Sequence, residues 1–211
     1  MEYAAEHTDQ LRKWGIFALG ALLIVVGISW YFRSAAATRD EALRGAVRIQ
    51  EANVGSASND FTLSYPTQQE KDAATVKGFT DVAAKYPGKR EGIIAEYYLG
   101  VTQADKGNMA EAEKHLKAAA ESGQKDYASQ AKLSLADIYS ASGKTADAEK
   151  LLRSLVDNPT ILVSKEQATI ALARVLGPSK PAEARKLLEP LRGERGAVSR
   201  AAITLLSEIS R

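Results

Sequence analysis

Three stretches of this chain repeat one pattern of small and large residues about 36 positions apart, and no other feature constrains the fold more. Leu99-Gly100 falls opposite Leu135-Ala136 and Leu172-Ala173. Ala112 falls opposite Ala148 and Ala184, Leu116 opposite Leu152 and Leu188, and Ala119 opposite Leu155 and Leu191. Gly107 and Gly143 are themselves 36 residues apart, and the third copy is about one residue shorter around Gly177. A repeat of this length signals stacked helix pairs. The reason is steric. A small residue late in the first helix of a pair (Gly100, Ala136, Ala173) lets the second helix approach closely. A small residue early in the second (Ala112, Ala148, Ala184) does the same from the other side, and the Leu four positions later fills the groove. A single pair cannot bury its apolar face, so pairs stack into a solenoid. Alanine fills 36 of the 211 positions, an excess that such contacts need.

Turn signals divide the region after Pro66 into short helices. Thr67 with Glu70, Asn108 with Glu111 and Ser164 with Gln167 have capping-box spacing, which places a helix start at each. Pro181 suits the first turn of a helix, where its missing N–H costs nothing. Stops fall at Tyr86-Pro87-Gly88, Gly107, Gly123, Gly143, Pro159, Gly177-Pro178 and Gly193. Upstream, Ala42, Leu43, Ala46, Val47 and Ile49 give a helical stripe over Arg39–Asn53, and Val54–Pro66 reads as a loop. No segment reads as a strand. The last predicted helix, Ala197–Ile209, reads as a solvating cap.

The mean hydropathy of -0.23 hides a run of 19 residues without a charge, Trp14 to Phe32. As a helix it spans about 28 Å, close to the hydrocarbon thickness of a bilayer. Trp14 stands at one end and Trp30-Tyr31 at the other, where aromatic rings favour the headgroup level. Arg12 and Lys13 precede it and Arg33 follows. A transmembrane anchor fits best. A cleaved signal peptide is the rival, because Ala35-Ala36-Ala37 offers a cleavage site, but the run exceeds a usual h-region. A buried core helix is the third reading. Arg33, Arg39, Arg44 and Arg48 outnumber Arg12 and Lys13, so a literal count of flanking charge favours a cytoplasmic repeat domain. Large domains translocate largely regardless of charge, and the count leaves orientation open.

The sequence offers little for chemistry. Cysteine is absent, and a net charge of +2 lacks the basic excess of a nucleic-acid binder. The two histidines, His7 and His115, are far apart, and His115 reads as an ordinary helix surface residue. There is no phosphate loop, no nucleophile elbow and no metal-ligand cluster, and Glu111/Glu113 sit where the helix dipole favours acids. The expectation is a non-enzyme without cofactor or metal.

The repeats resemble the tetratricopeptide repeat. One copy reads Leu99-Gly100, Ala112 and Leu116, with Gln103 where the consensus has Tyr. The next reads Leu135-Ala136, Tyr139, Ala148, Leu152 and Pro159. Phe79, Val82 and Pro87 match the end of an earlier, divergent unit, and Glu96 and Lys132 replace the consensus Trp. The resemblance implies an all-α fold. It divides the chain into a tail (1–13), a transmembrane helix (14–33), a connecting helix and loop (34–66) and a tetratricopeptide-like α-solenoid (67–211). In such arrays the first helix of each pair lines a concave face that binds proteins. By register that face takes Ile94, Tyr97, Tyr98, Val101 and Asp105 in one unit. It takes Gln130, Leu133, Asp137 and Ser140 in the next, and Gln167, Ile170 and Arg174 in the third. Tyr97 and Tyr98 are either contact residues or packed between helices. The Lys/Asn pattern of a carboxylate clamp is absent.

The whole arrangement is similar to the YfgM family of bacteria, which are ancillary subunits of the secretory translocon. That similarity implies an inner-membrane protein with its N-terminus in the cytoplasm and its repeats in the periplasm. It implies translocon subunits, exported or unfolded chains and periplasmic chaperones as partners. A scaffold in another envelope assembly and a cytoplasm-facing adaptor are the alternatives.

Overall fold

A computed structural model describes residues 3–55 and 63–210, without the side chains of 3–13, 15 and 16. The His7 side chain and much of the expected 54–66 loop therefore lie outside the described residues. The described chain is almost wholly helical. It runs α1 (Tyr3–Gln50), β1 (Asn53–Val54), β2 (Ser64–Tyr65), α2 (Gln68–Lys85), α3 (Arg90–Asp105) and α4 (Met109–Ala120). It continues α5 (Lys125–Ala141), α6 (Thr145–Asp157), α7 (Lys165–Leu176), α8 (Pro181–Leu188), a 3-10 turn (Glu189–Gly193) and α9 (Ala197–Ile209).

The expected seams are the core. Leu99, Leu135 and Leu172 are buried, as are Ala112, Ala148 and Ala184, and Leu116, Leu152 and Leu188. Each fully buried leucine is worth roughly 1.5–3 kcal/mol over exposure, so these rows hold the stack together. Gly100 shows how tightly it closes: a Cβ there would lie 2.5 Å from Leu116 Cγ, so α3 and α4 touch where only hydrogen fits. Gly107 and Gly143 take left-handed φ of 78° and 77° in matching turns. The α7–α8 turn is one residue tighter, and the Lys180 amide there bonds Leu176 four back, whereas Lys144 reaches Tyr139 five back.

Residues 39–47 of α1 belong to this packing. Ala46 joins Phe79, Val82, Ala83, Ala95 and Leu99 in one apolar cluster, with Ala42, Leu43 and Val47 against it. Arg39 Nε donates to Glu91 Oε2 at 3.1 Å, and Arg90 lies 3.6 Å from Asp40. The predicted 39–53 helix is thus the far end of α1, running unbroken from the apolar segment and ending at Gln50. Among the described residues the apolar segment packs on nothing: Leu22, Leu23, Ile24 and Val25 are all exposed. That removes the reading as a buried core helix. By length and composition this is a helix able to cross a membrane.

Four local expectations need correction or completion. Thr67 and Ser164 do cap, each accepting a backbone N–H three residues on. Asn108 does not. Its amide donates to Gln103 Oε1 at 2.9 Å across the turn, which satisfies it there, and Glu111 pairs with Lys114. Two strands were not expected. Asn53–Val54 and Ser64–Tyr65 form a parallel pair that clips the ends of the connecting loop together. His115 is also no ordinary surface residue. Its Nδ1 lies 2.7 Å from Glu96 Oε2, so it bridges α3 and α4 at the position where the consensus repeat places Trp.

Candidate functional site

The first helices of successive pairs, α3, α5 and α7, carry the expected concave positions, and α9 follows in the place of a first helix. Leu133, Asp137, Gln167, Ile170 and Arg174 converge on one groove of about 400 Å³. Ser164 and Ala171 complete its α7 side, and Ala197, Val198 and Ala201 of α9 close it. Its walls are aliphatic, from Leu133, Ile170, Ala171 and Val198, with Asp137 and Arg174 as its charged groups. Asp137 keeps one side open to solvent, yet desolvation by the walls pushes its carboxyl above the usual aspartate range. Arg174 offsets this only in part. Such a groove presents apolar area for side chains, together with one acceptor and one donor of opposite charge.

The remaining predicted positions divide. Tyr97 and Tyr98 are half-buried in a ladder of four rings. Tyr98 stacks on Phe79 with centroids 5.0 Å apart, Tyr97 meets Tyr98 edge-on at 5.4 Å, and Tyr97 meets Tyr127 at 5.7 Å. Burial pushes both hydroxyls above the usual tyrosine value; Ser134 partly offsets this at Tyr97. These rings tie units together, with Phe79 fully buried at one end of the ladder. Val101 is partly buried beside them, and Asp105 and Ser140 are exposed at helix ends. Gln130 is occupied, its amide donating to the Leu162 carbonyl at 3.0 Å.

Ile94 is a correction. It is 2% exposed and offers no contact surface. It lies one turn after Glu91, which Arg39 of α1 meets at 3.1 Å.

Register missed the α9 wall. Ala197, Val198 and Ala201 lie at i, i+1 and i+4 on one face of a helix whose sequence predicts only a solvating cap. Among the described residues no group of three or more His, Asp or Glu side chains is placed to hold a metal.

No curated protein and no solved structure matches the chain. The family model of the tetratricopeptide repeat-like domain matches residues 15–158, from inside the apolar segment to the end of the second copy of the repeat. That match covers well over half of the chain, and with the paired helices, their small-residue seams and their stacked first helices it assigns the protein to the tetratricopeptide repeat-like domain family.

Proposed function

We propose that this protein is a membrane-anchored protein-binding module that receives extended or partly unfolded polypeptide in the groove between α5, α7 and α9. The observation that carries the reading is the convergence of Leu133, Ile170 and Val198 around the Asp137 and Arg174 pair on one concave surface. Aliphatic walls take alternate side chains of a strand-like guest, and the charged pair orients its backbone or a polar side chain. The tail, single apolar helix, connecting helix and repeats are arranged as in the YfgM family. By that similarity the repeats stand on the extracytoplasmic side of a bacterial inner membrane. There they serve as an ancillary translocon subunit that assists or chaperones exported chains.

A photo-crosslinking amino acid at Ile170, in the full chain in its native membrane, tests this. Crosslinks to emerging chains or translocon subunits, absent from the same probe at Lys150 on the second-helix side, are expected. Crosslinks to another envelope assembly would make the protein a scaffold there. A cytoplasm-facing adaptor is the second reading, favoured by Arg33, Arg39, Arg44 and Arg48 after the span. A C-terminal reporter active only in the periplasm separates the two, and its inactivity sinks the extracytoplasmic reading.

A further inference from the structure

α1 does not break where its apolar run ends, so whatever holds residues 14–32 also sets the direction of everything packed on its far end. About 10 Å of helix separates Phe32 from Arg39. There Arg39 meets Glu91 and Asp40 meets Arg90, the first two residues of α3. The start of α3 is therefore level with Arg39, and Ala46 further along α1 shares a cluster with Ala95 and Leu99 further along α3, so the two helices run the same way, away from the apolar segment. Successive helices alternate in direction. The α2–α3, α4–α5, α6–α7 and α8–α9 turns thus share the edge nearer that segment, and the other turns share the far edge. Bonds between units agree. Ser129, near the start of α5, bonds Thr160 in the α6–α7 turn at 2.7 Å. Lys144 and Lys180, in far-edge turns, reach Glu113 and Glu149 near the starts of α4 and α6.

One near-edge turn differs from the rest. Between α6 and α7, Ile161 is 92% exposed and Leu162 is exposed beside it. Ile161 stands further into solvent than Trp14, at 74% the most exposed large apolar side chain described in the apolar run. This turn is not slack. The Thr160 amide donates to the Val163 carbonyl at 2.9 Å, and the Val163 amide to Thr160 Oγ1 at 3.1 Å. Gln130 holds the Leu162 carbonyl, and Val163 is fully buried. An ordered turn that keeps Ile161 in water with Leu162 37% exposed beside it forgoes part of their burial and leaves an apolar tip free to meet a surface outside the chain.

Resting on the membrane-anchor reading, we infer that the near edge of the solenoid faces the bilayer and that the Ile161-Leu162 tip dips into its interfacial layer. Two aliphatic side chains bind membranes weakly by themselves. The anchor makes this second contact intramolecular and supplies the effective concentration that a free domain lacks. The contact would hold the groove at a fixed height and tilt above the lipid.

The chain has no cysteine and only two tryptophans, Trp14 and Trp30, both at the ends of the apolar run. Tip and anchor are therefore read separately. The full chain is reconstituted in phosphatidylcholine/phosphatidylglycerol vesicles with and without brominated acyl chains. An NBD label is placed at Lys165→Cys, beside the tip, or at Lys106→Cys on the far edge. Brominated lipid is expected to quench tryptophan and the label at 165, to spare the label at 106, and to lose its effect at 165 when Ile161→Asp is added. Ile161 has no core to disturb, so circular dichroism of that variant should match the parent. Quenched tryptophan with equal signals at 165 and 106 overturns the inference and leaves the anchor standing. A label at 165 shielded from aqueous iodide but untouched by bromine overturns it in favour of a second copy or another protein. Unquenched tryptophan removes the anchor and the inference with it.

Discussion

Positions at one register of the repeat behave in two ways. On the seams the residue class is kept, as in Leu116, Leu152 and Leu188, all fully buried. On the concave face it changes along every row: Tyr97 gives way to Leu133 and Ile170, and Val101 to Asp137 and Arg174. A seam residue meets a partner made by the same repeat, so its constraint is copied from unit to unit. A groove residue meets solvent or a guest, and nothing in the repeat dictates it. The fold rests on what the units share, and recognition on what they do not.

The largest test of that division is to truncate one residue of each kind. Leu152→Ala should cost about 2–5 kcal/mol, since Leu152 is fully buried and its truncation leaves a cavity in the core. Ile170→Ala on the groove face should cost a small fraction of that while weakening guest binding. Solenoids need not unfold in one step, so urea denaturation should be paired with hydrogen exchange resolved by helix. Equal losses at the two sites would erase the distinction.

A second test exchanges the small residues at one seam register. Gly100→Ala should destabilise by about 1–3 kcal/mol through overpacking, because the new Cβ meets Leu116. Ala136→Gly, the reverse change at the matching position, should cost about 1 kcal/mol from helix propensity, plus the lost methyl contact. Both losing stability, by thermal melts, would show that each seam is fitted to its own neighbour. A stabilising Gly100→Ala would show that Leu116 can swing aside.

The same division sets what could be read from sequence. Leu99, Ala112 and Leu116 were legible because close approach of paired helices leaves one answer at each position, and repetition states it three times. Helix caps at Thr67 and Ser164 were legible because they are local. Ile94 was not, since its register predicts a concave face and only the packed structure shows it 2% exposed. Asn108 chose Gln103 over its own helix, a competition between near-equal bonds that spacing does not decide. His115 and Glu96 are far apart in sequence and meet only because α3 and α4 pack as they do. Of the groove, the α5 and α7 residues followed from register, whereas the α9 wall required knowing that the last helix continues the stack as a first helix.

A third test concerns electrostatics that also repeat. Glu113 pairs with Lys117 one turn on and Lys144 of the next unit, and Glu149 pairs with Arg153 and Lys180 at positions 36 residues later. The earlier unit breaks the ladder: Lys77 and Asp81 hold the same positions with reversed charge, and Asn108 stands where the bridging lysine would be. Lys180, then Arg153, holds the Glu149 carboxyl below the usual glutamate value, and Lys117 does the same for Glu113. A lowered carboxyl contributes stability above its unfolded value and loses it as pH falls through the folded one. Glu149→Gln should cost about 0.5–1 kcal/mol at neutral pH and reduce the loss of stability on acidification. An unchanged acid profile would mean that the ladder is ornamental to the stack.

The smallest expected effect has the opposite sign and lies in the groove. Asp137 sits above the usual aspartate range because the groove walls desolvate it, with Arg174 compensating in part. Its folded state thus binds protons that the unfolded chain has released, and stability falls as pH rises through that window. Asp137→Asn removes a charge the free protein holds at a disadvantage. Its melting temperature at neutral pH should rise slightly, with the difference from the parent vanishing once pH falls below the ordinary aspartate value. A guest that uses the carboxylate should at the same time bind the variant more weakly. Stability gained and binding lost together would mark Asp137 as kept for recognition. A loss of stability on substitution would make it instead a structural partner of Arg174, and the groove would then obey the rule of the seams.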